Sequence, residues 1–214
     1  MYIAPPDRTT VDDEWRDLVA THAFGNLVAA GRDRHLPEST PTQFVLDGDG
    51  VNLHVVSRNP MLDAIAEQSS VMLCVAGDWT FIPSDWKAPA SEGEDPALGL
   101  RTTSYAAVEL IGTATVVEGP DPLAALLRRQ LDRTQPGVPI ADPGQVHRAR
   151  LQAIRGIHIA IRQARSKFKF GGNVDPIHRL RIAELLDTRN GPGDTAAAAH
   201  LLRRYQLNSE VLSR

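Results

Sequence analysis

Thr42-Gln43-Phe44-Val45-Leu46-Asp47-Gly48-Asp49-Gly50-Val51-Asn52-Leu53-His54-Val55-Val56 is the stretch that decides the fold class. Two apolar-rich runs flank a pair of Asp-Gly steps, and such steps tolerate the positive φ that a tight hairpin turn demands, so two antiparallel strands are predicted. Upstream, Phe24 to Ala30 reads as another strand. Val11 to His22 places Trp15, Leu18 and Val19 on one helical face behind the acidic start Asp12-Asp13-Glu14, which suits a helix N-terminus. Downstream, Asn59-Pro60 stops the strand, and Met61, Leu62, Ile65 and Ala66 recur at helical spacing over Pro60 to Gln68.

Further along, Ser70 to Ala76 and Tyr105 to Glu118 read as strands, the second bent at a bulge at Gly112. The segment Ala88 to Gly99 between them, rich in Pro, Gly, Ala and acidic residues, is expected to be a mobile loop or lid. Helices are expected over Pro122 to Arg133 and Val146 to Ile154. Ile157, Ile159 and Ile161 share one face of a predicted strand. Ile177 to Leu202 reads as a helical tail broken at Asn190-Gly191-Pro192-Gly193, with Asp194 or Thr195 capping its second piece. Short strands mixed with helices predict an α+β chain, mainly β, closed as a small barrel rather than a βαβ sheet.

At 214 residues and 42% hydrophobic content the chain can bury a full core. A net charge of -3 gives no general pull toward nucleic acid or anionic lipid, so a nucleic-acid partner is expected only if a local patch supplies the contact. The single cysteine, Cys74, lies in the apolar run Val71 to Val75 and reads as a small buried hydrophobe. No run approaches the roughly 18 apolar residues of a membrane span, and Met1 to Pro6 has no basic region followed by an apolar stretch; a cytoplasmic location is expected. No GxGxxG, P-loop, HExxH or GxSxG motif occurs.

Six landmarks stand in order: Met1-Tyr2-Ile3; Phe24 to Val28; His54-Val55-Val56-Ser57-Arg58-Asn59-Pro60; Phe81-Ile82-Pro83-Ser84-Asp85-Trp86; Tyr105 to Val108; and Lys167-Phe168-Lys169-Phe170-Gly171-Gly172-Asn173. Together they resemble the PaiB-type, FMN-binding negative transcriptional regulator family over about residues 1 to 190. The resemblance implies a split β-barrel over residues 1-175, a C-terminal helical extension over 176-214, a homodimer, and a flat cofactor held between subunits. Regulator-type members are linked with FMN. Another branch comprises haem-dependent piperazate synthases, which cyclise N5-hydroxy-L-ornithine to L-piperazate. This chain departs from the regulator pattern: Pro41-Thr42-Gln43-Phe44 replaces Thr-His-Leu-Pro, and Thr102-Thr103-Ser104-Tyr105 replaces Thr-Trp-Asn-Tyr. Those losses move the expected guest from FMN toward haem b, with a small amino acid as substrate.

A haem requires an uncharged axial imidazole and cations near its propionates. Family position favours His54 as the ligand, with His22 and His158 as alternatives; His35, His147, His178 and His200 read as solvated. Arg58, Lys167 and Lys169 are nominated for the cofactor acids, although two lysines alternating with Phe168 and Phe170 also suit an exposed edge strand. For the proton transfers of ring closure the candidates are Glu38, Thr40, Thr103, Tyr105 and Glu109, at the positions where the family motifs changed. Trp79 and Trp86 are expected in the core or a dimer interface.

Overall fold

The computed structural model describes residues 1-9, 13-87, 101-137 and 151-212. Expectations for Val11 and Asp12, for the loop Ala88 to Gly99, and for residues 146-150 of the proposed helix, including His147, lie outside those residues. Six strands, β1 (Phe24–Ala29), β2 (Glu38–Asp47), β3 (Gly50–Val56), β4 (Ser70–Ile82), β5 (Thr102–Val117) and β6 (Ile154–Lys169), close a barrel in the order β1-β2-β3-β6-β5-β4. Five α-helices among the described residues accompany them: α1 (Glu14–Thr21), α2 (Met61–Glu67), α3 (Pro120–Thr134), α4 (Pro176–Arg189) and α5 (Asp194–Leu212). The chain is therefore mainly β, a barrel with flanking helices. Among the described residues no helix is long and apolar enough to cross a membrane.

The hairpin forms as expected, with Asp47 paired to Gly50 and Phe44 to Leu53. Gly48 carries φ +59°, while Asp49 stays at negative φ, as a two-residue turn with glycine first requires. β2 begins four residues earlier than its apolar pattern because Glu38 to Pro41 ladders onto Asn26 to Ala29 of β1, so pairing outweighs propensity there. β6 likewise runs past Ile161 through the polar stretch Arg162 to Arg165, which alternation alone could not extend. Its lysines lie in a closed barrel and not on a free edge. Strand β5 runs unbroken through Gly112, where a Cβ would stand 2.3 Å from the Ala160 carbonyl oxygen; the glycine serves close strand approach rather than a bulge.

The described chain packs as two compact units. The second unit, Val19–Val75 with Glu109–Arg165, buries Leu27, Phe44, Val51, Leu53, Leu73, Leu110, Ile157 and Ile159 completely. Each such side chain contributes about 1.5–3 kcal/mol. The first unit, Met1–Leu18 with Ala76–Val108 and Ser166–Arg214, buries Ile82, Phe168, Phe170, Leu186 and Ala197, and the boundary expected at residue 175 falls within it. There α1 lies against β4 at Gly77, where a Cβ would come within 2.6 Å of Leu18. In the same unit α4 ends at Asn190 in the left-handed region, and Gly193 (φ +78°) passes so near Trp79 that a Cβ would stand 2.1 Å from its carbonyl oxygen.

One expectation in the first unit is corrected and one narrowed. Asp194 does not cap α5 through the next turn: its carboxylate accepts from Gly191 N (2.8 Å), Thr80 Oγ1 (2.5 Å) and both Arg189 Nε (2.7 Å) and Nη2 (2.6 Å), tying the helix turn to β4. Arg189 holds the Asp194 carboxyl far below the ordinary carboxylate range. Of the two places expected for Trp79, core or dimer interface, the core is removed: it is 63% exposed, because the side chains that alternate with Thr80 and Ile82 on β4 point outward.

Candidate cofactor site

Alternation along β3 turns Val51, Leu53 and Val55 into the core and places Asn52 and His54 on the opposite face. That face is covered by α3. Gly156, opposite His54 in the β6 register, has no side chain, and a Cβ there would stand 3.0 Å from both Leu126 Cδ1 and Val117 Cβ, so glycine is what lets the helix approach. One turn on from Leu126, buried Gln130 brings Oε1 to 2.6 Å from His54 Nδ1. The Gln130 amide thereby fixes the orientation of the His54 ring. The other amide atom, Gln130 Nε2, is buried without a partner. A half-buried imidazole oriented through one ring nitrogen by a second side chain is held in the manner of an axial metal ligand.

The other nominated residues of the second unit fall into local contacts. Thr40 Oγ1 donates to Asn59 Oδ1 (3.3 Å), which also accepts from Met61 N (2.9 Å) and so holds the first turn of α2. Arg58 is exposed in the preceding turn. Glu38 pairs with Arg34 (2.8 Å), whose remaining nitrogens grip Glu67 in a fork at 2.7 Å each. The Arg34 guanidinium holds the Glu67 carboxyl down at about 2. Glu109 pairs with Arg165 at 3.3 Å. The alternative ligand His158 has its Nδ1 3.0 Å from Asn52 Oδ1. A cavity of about 580 Å³ in this unit, bordered by Val117, Glu118, Leu123, Leu151 and Arg155, is lined by none of the nominated residues.

In the first unit the structure does gather Tyr105, Lys167 and Lys169. The two ammonium groups lie 5.5 and 5.8 Å from the Tyr105 ring centroid. Lys167 is mostly buried, 3.5 Å from Asp7, and donates to the Tyr2 carbonyl (3.3 Å). Burial lowers its pKa, but Tyr105 and Asp7 outweigh that, and the net direction is upward. Lys169 donates to Thr102 Oγ1 at 2.7 Å, and Thr103 is exposed beside it. Phe168 and Phe170 point the other way and are fully buried, as the alternation predicts.

Sequence reasoning missed Gln130, although a polar residue continuing the Leu123, Leu126, Leu127 stripe of α3 was a signal. It also misjudged His200, expected to be solvated. This imidazole stacks on Phe170 with centroids 4.3 Å apart, and its Nε2 meets Asp78 at 2.9 Å. Arg203 Nη2 donates to its Nδ1 (2.7 Å) and pairs with Glu14. Burial pushes its pKa down. Among the described residues no group of three or more His, Cys, Asp or Glu side chains could hold a metal ion.

Solved structures that share the fold include two of higher TM-score. The flavocytochrome Anf3 from Azotobacter vinelandii aligns at TM-score 0.58 and 19% identity over 76% of this chain and 69% of its own. The FAD and haem binding protein from Mycobacterium smegmatis aligns at TM-score 0.58 and 23% identity over 76% and 73%. No curated protein matches the sequence. The family model described as "Putative FMN-binding domain" matches residues 1–163, three quarters of the chain and every strand but the last residues of β6. The chain belongs to that FMN-binding split-barrel family.

Proposed function

We propose that this protein is a haem-dependent enzyme, with His54 as the axial ligand, that closes a nitrogen–nitrogen bond in an N-hydroxylated diamino acid such as N5-hydroxy-L-ornithine. The observation that carries the reading is the 2.6 Å contact between His54 Nδ1 and Gln130 Oε1, which orients the ring as a partner residue orients a metal-bound imidazole. That the flavocytochrome and the FAD and haem binding protein share the fold supports it. A bound haem would supply an electrophilic iron that polarises the N–O bond. In the balanced reaction the α-amine nitrogen bonds to N5 as the N–O bond breaks. The hydroxyl leaves as water with the proton the amine gives up, and no net oxidation or reduction occurs.

Within this reading the chain's residues divide the remaining work. Exposed Arg58 follows β3 in the same unit as His54 and is the cation for a cofactor acid; Lys167 and Lys169, nominated from the sequence for such a task, belong to the first unit. Glu38, Thr40, Thr103, Tyr105 and Glu109 are the candidate proton carriers; of these Glu38 and Glu109 are engaged by arginines and would need to be released first. A homodimer belongs to the proposal, supported by the outward exposure of Trp79 and Phe81.

The second reading, an FMN-binding protein acting as an oxidoreductase or as a regulator, is favoured by the family match itself. Protein produced with both iron and flavin available separates the two by its absorption spectrum. A Soret band, with loss of N5-hydroxy-L-ornithine and appearance of a cyclic hydrazine on incubation, is the expected result. A yellow protein with a flavin spectrum and no Soret band would overturn it, and a specific mobility shift of DNA at physiological salt would move the assignment to the regulator.

A further inference from the structure

The cavity of about 580 Å³ in the second unit lies where β5 ends, α3 begins and β6 begins. Its size is that of a site for a small organic molecule. Val117, Leu123, Leu151 and Ile154 give it apolar walls. Leu123 and Leu151 are buried and form, with Ala124, a hydrophobic cluster of their own against which Ile154 packs. Two charged residues share the same lining, Glu118 and Arg155.

These two charges do not satisfy each other. Glu118 is exposed, and among the described residues its carboxylate has no ion pair or hydrogen bond. Half-buried Arg155 commits only Nη1, which donates to the carbonyls of Gln152 (3.2 Å) and Ile154 (2.8 Å). Those bonds fix the guanidinium and leave Nε and Nη2 uncommitted among the described residues. An anion and a cation that border one cavity without meeting are complementary to a ligand that carries both charges. A simple acid would face Glu118, a simple amine would face Arg155, and a polar zwitterion would forgo the apolar walls.

We infer that this cavity binds a free α-amino acid with an apolar side chain. Its carboxylate accepts from Arg155, its ammonium donates to Glu118, and its side chain lies against Val117, Leu123, Leu151 and Ile154. Leu123 precedes Gln130 by about 10 Å along α3, so this ligand takes a different part of the helix from the His54 contact. The inference does not rest on the haem assignment, and N5-hydroxy-L-ornithine, with its polar side chain, is not the ligand expected here.

The test is isothermal titration calorimetry of the full chain, in the cofactor state in which it is purified, with L-leucine and L-phenylalanine as probes. At least one of them is expected to bind saturably. For that amino acid the deaminated acid, the decarboxylated amine and glycine are each expected to bind about tenfold more weakly or worse. Glu118→Gln is expected to weaken the amino acid about tenfold while the deaminated acid binds no more weakly than before. Arg155→Gln is expected to weaken the amino acid about tenfold and leave the decarboxylated amine unaffected. Should Arg155→Gln not fold, Glu118→Gln decides with the same ligands, because the exposed Glu118 holds nothing else in place. No binding of either amino acid, glycine binding as tightly as the larger ones, or undiminished binding in Glu118→Gln would overturn the inference. Tighter binding of N5-hydroxy-L-ornithine that Glu118→Gln abolishes would also overturn it, since the cavity would then be the substrate's. Calorimetry reads this cavity without reference to the Soret band, so its failure and the failure of the haem reading are told apart.

Discussion

The Asp194 cluster in the first unit and the His54–Gln130 pair in the second are both polar arrangements set among buried groups, and they are finished to different degrees. Both carboxylate oxygens of Asp194 accept two hydrogen bonds, from Thr80, Gly191 and Arg189. Gln130 satisfies one amide atom and leaves the other bare, and His54 spends one ring nitrogen and keeps the other. A closed polar network fixes a fold, here the docking of the α4–α5 turn on β4. An open one costs stability and persists where a ligand completes it.

The largest expected effect comes from breaking the closed network. Asp194→Ala leaves Arg189 and buried Thr80 without their shared acceptor and should cost about 3 kcal/mol in chemical denaturation. Cofactor content at temperatures where the variant is folded should not change. Gln130→Leu should do the opposite, keeping stability within about 1 kcal/mol because an orphaned amide is removed along with one hydrogen bond. Haem affinity should fall about 10- to 100-fold as the imidazole loses its anchor. If both variants lost stability equally and neither lost cofactor, the contrast between the two clusters would fail.

A smaller effect follows from His200. Its folded pKa is depressed by burial below the ordinary 6.5, so the unfolded chain takes up the proton more readily. Stability is then fully present above about pH 6.5 and declines as pH falls through that value toward the folded pKa, by at most about 1.4 kcal/mol per pH unit. His200→Gln should flatten the slope of denaturation midpoint against pH over that window. Smallest of all, Lys169→Met should shift the unfolding midpoint by only a degree or two, because its single bond to Thr102 is partly solvated and the barrel beneath it is apolar.

Much of the barrel was legible because its signals are local. The Asp47 to Gly50 turn, the Asn59-Pro60 stop and the alternation of Lys167-Phe168-Lys169-Phe170 each depend on residues adjacent in sequence. What escaped depends on distant partners. The full lengths of β2 and β6 come from ladder pairing, and Trp79 is outward because Thr80 and Ile82 are claimed by the interior. His200 is buried because Phe170 and Asp78 meet it from elsewhere in the chain. For the candidate site, the sequence could nominate His54 but not the partner that orients it, since Gln130 is 76 residues away.

The account turns on that imidazole, and haem titration of wild type against His54→Ala, followed at the Soret band, tests it most directly. A hundredfold or greater loss of affinity, with the far-ultraviolet spectrum unchanged, is the predicted result. Equal affinity and an identical Soret position in the two proteins would show that His54 does not ligate the iron.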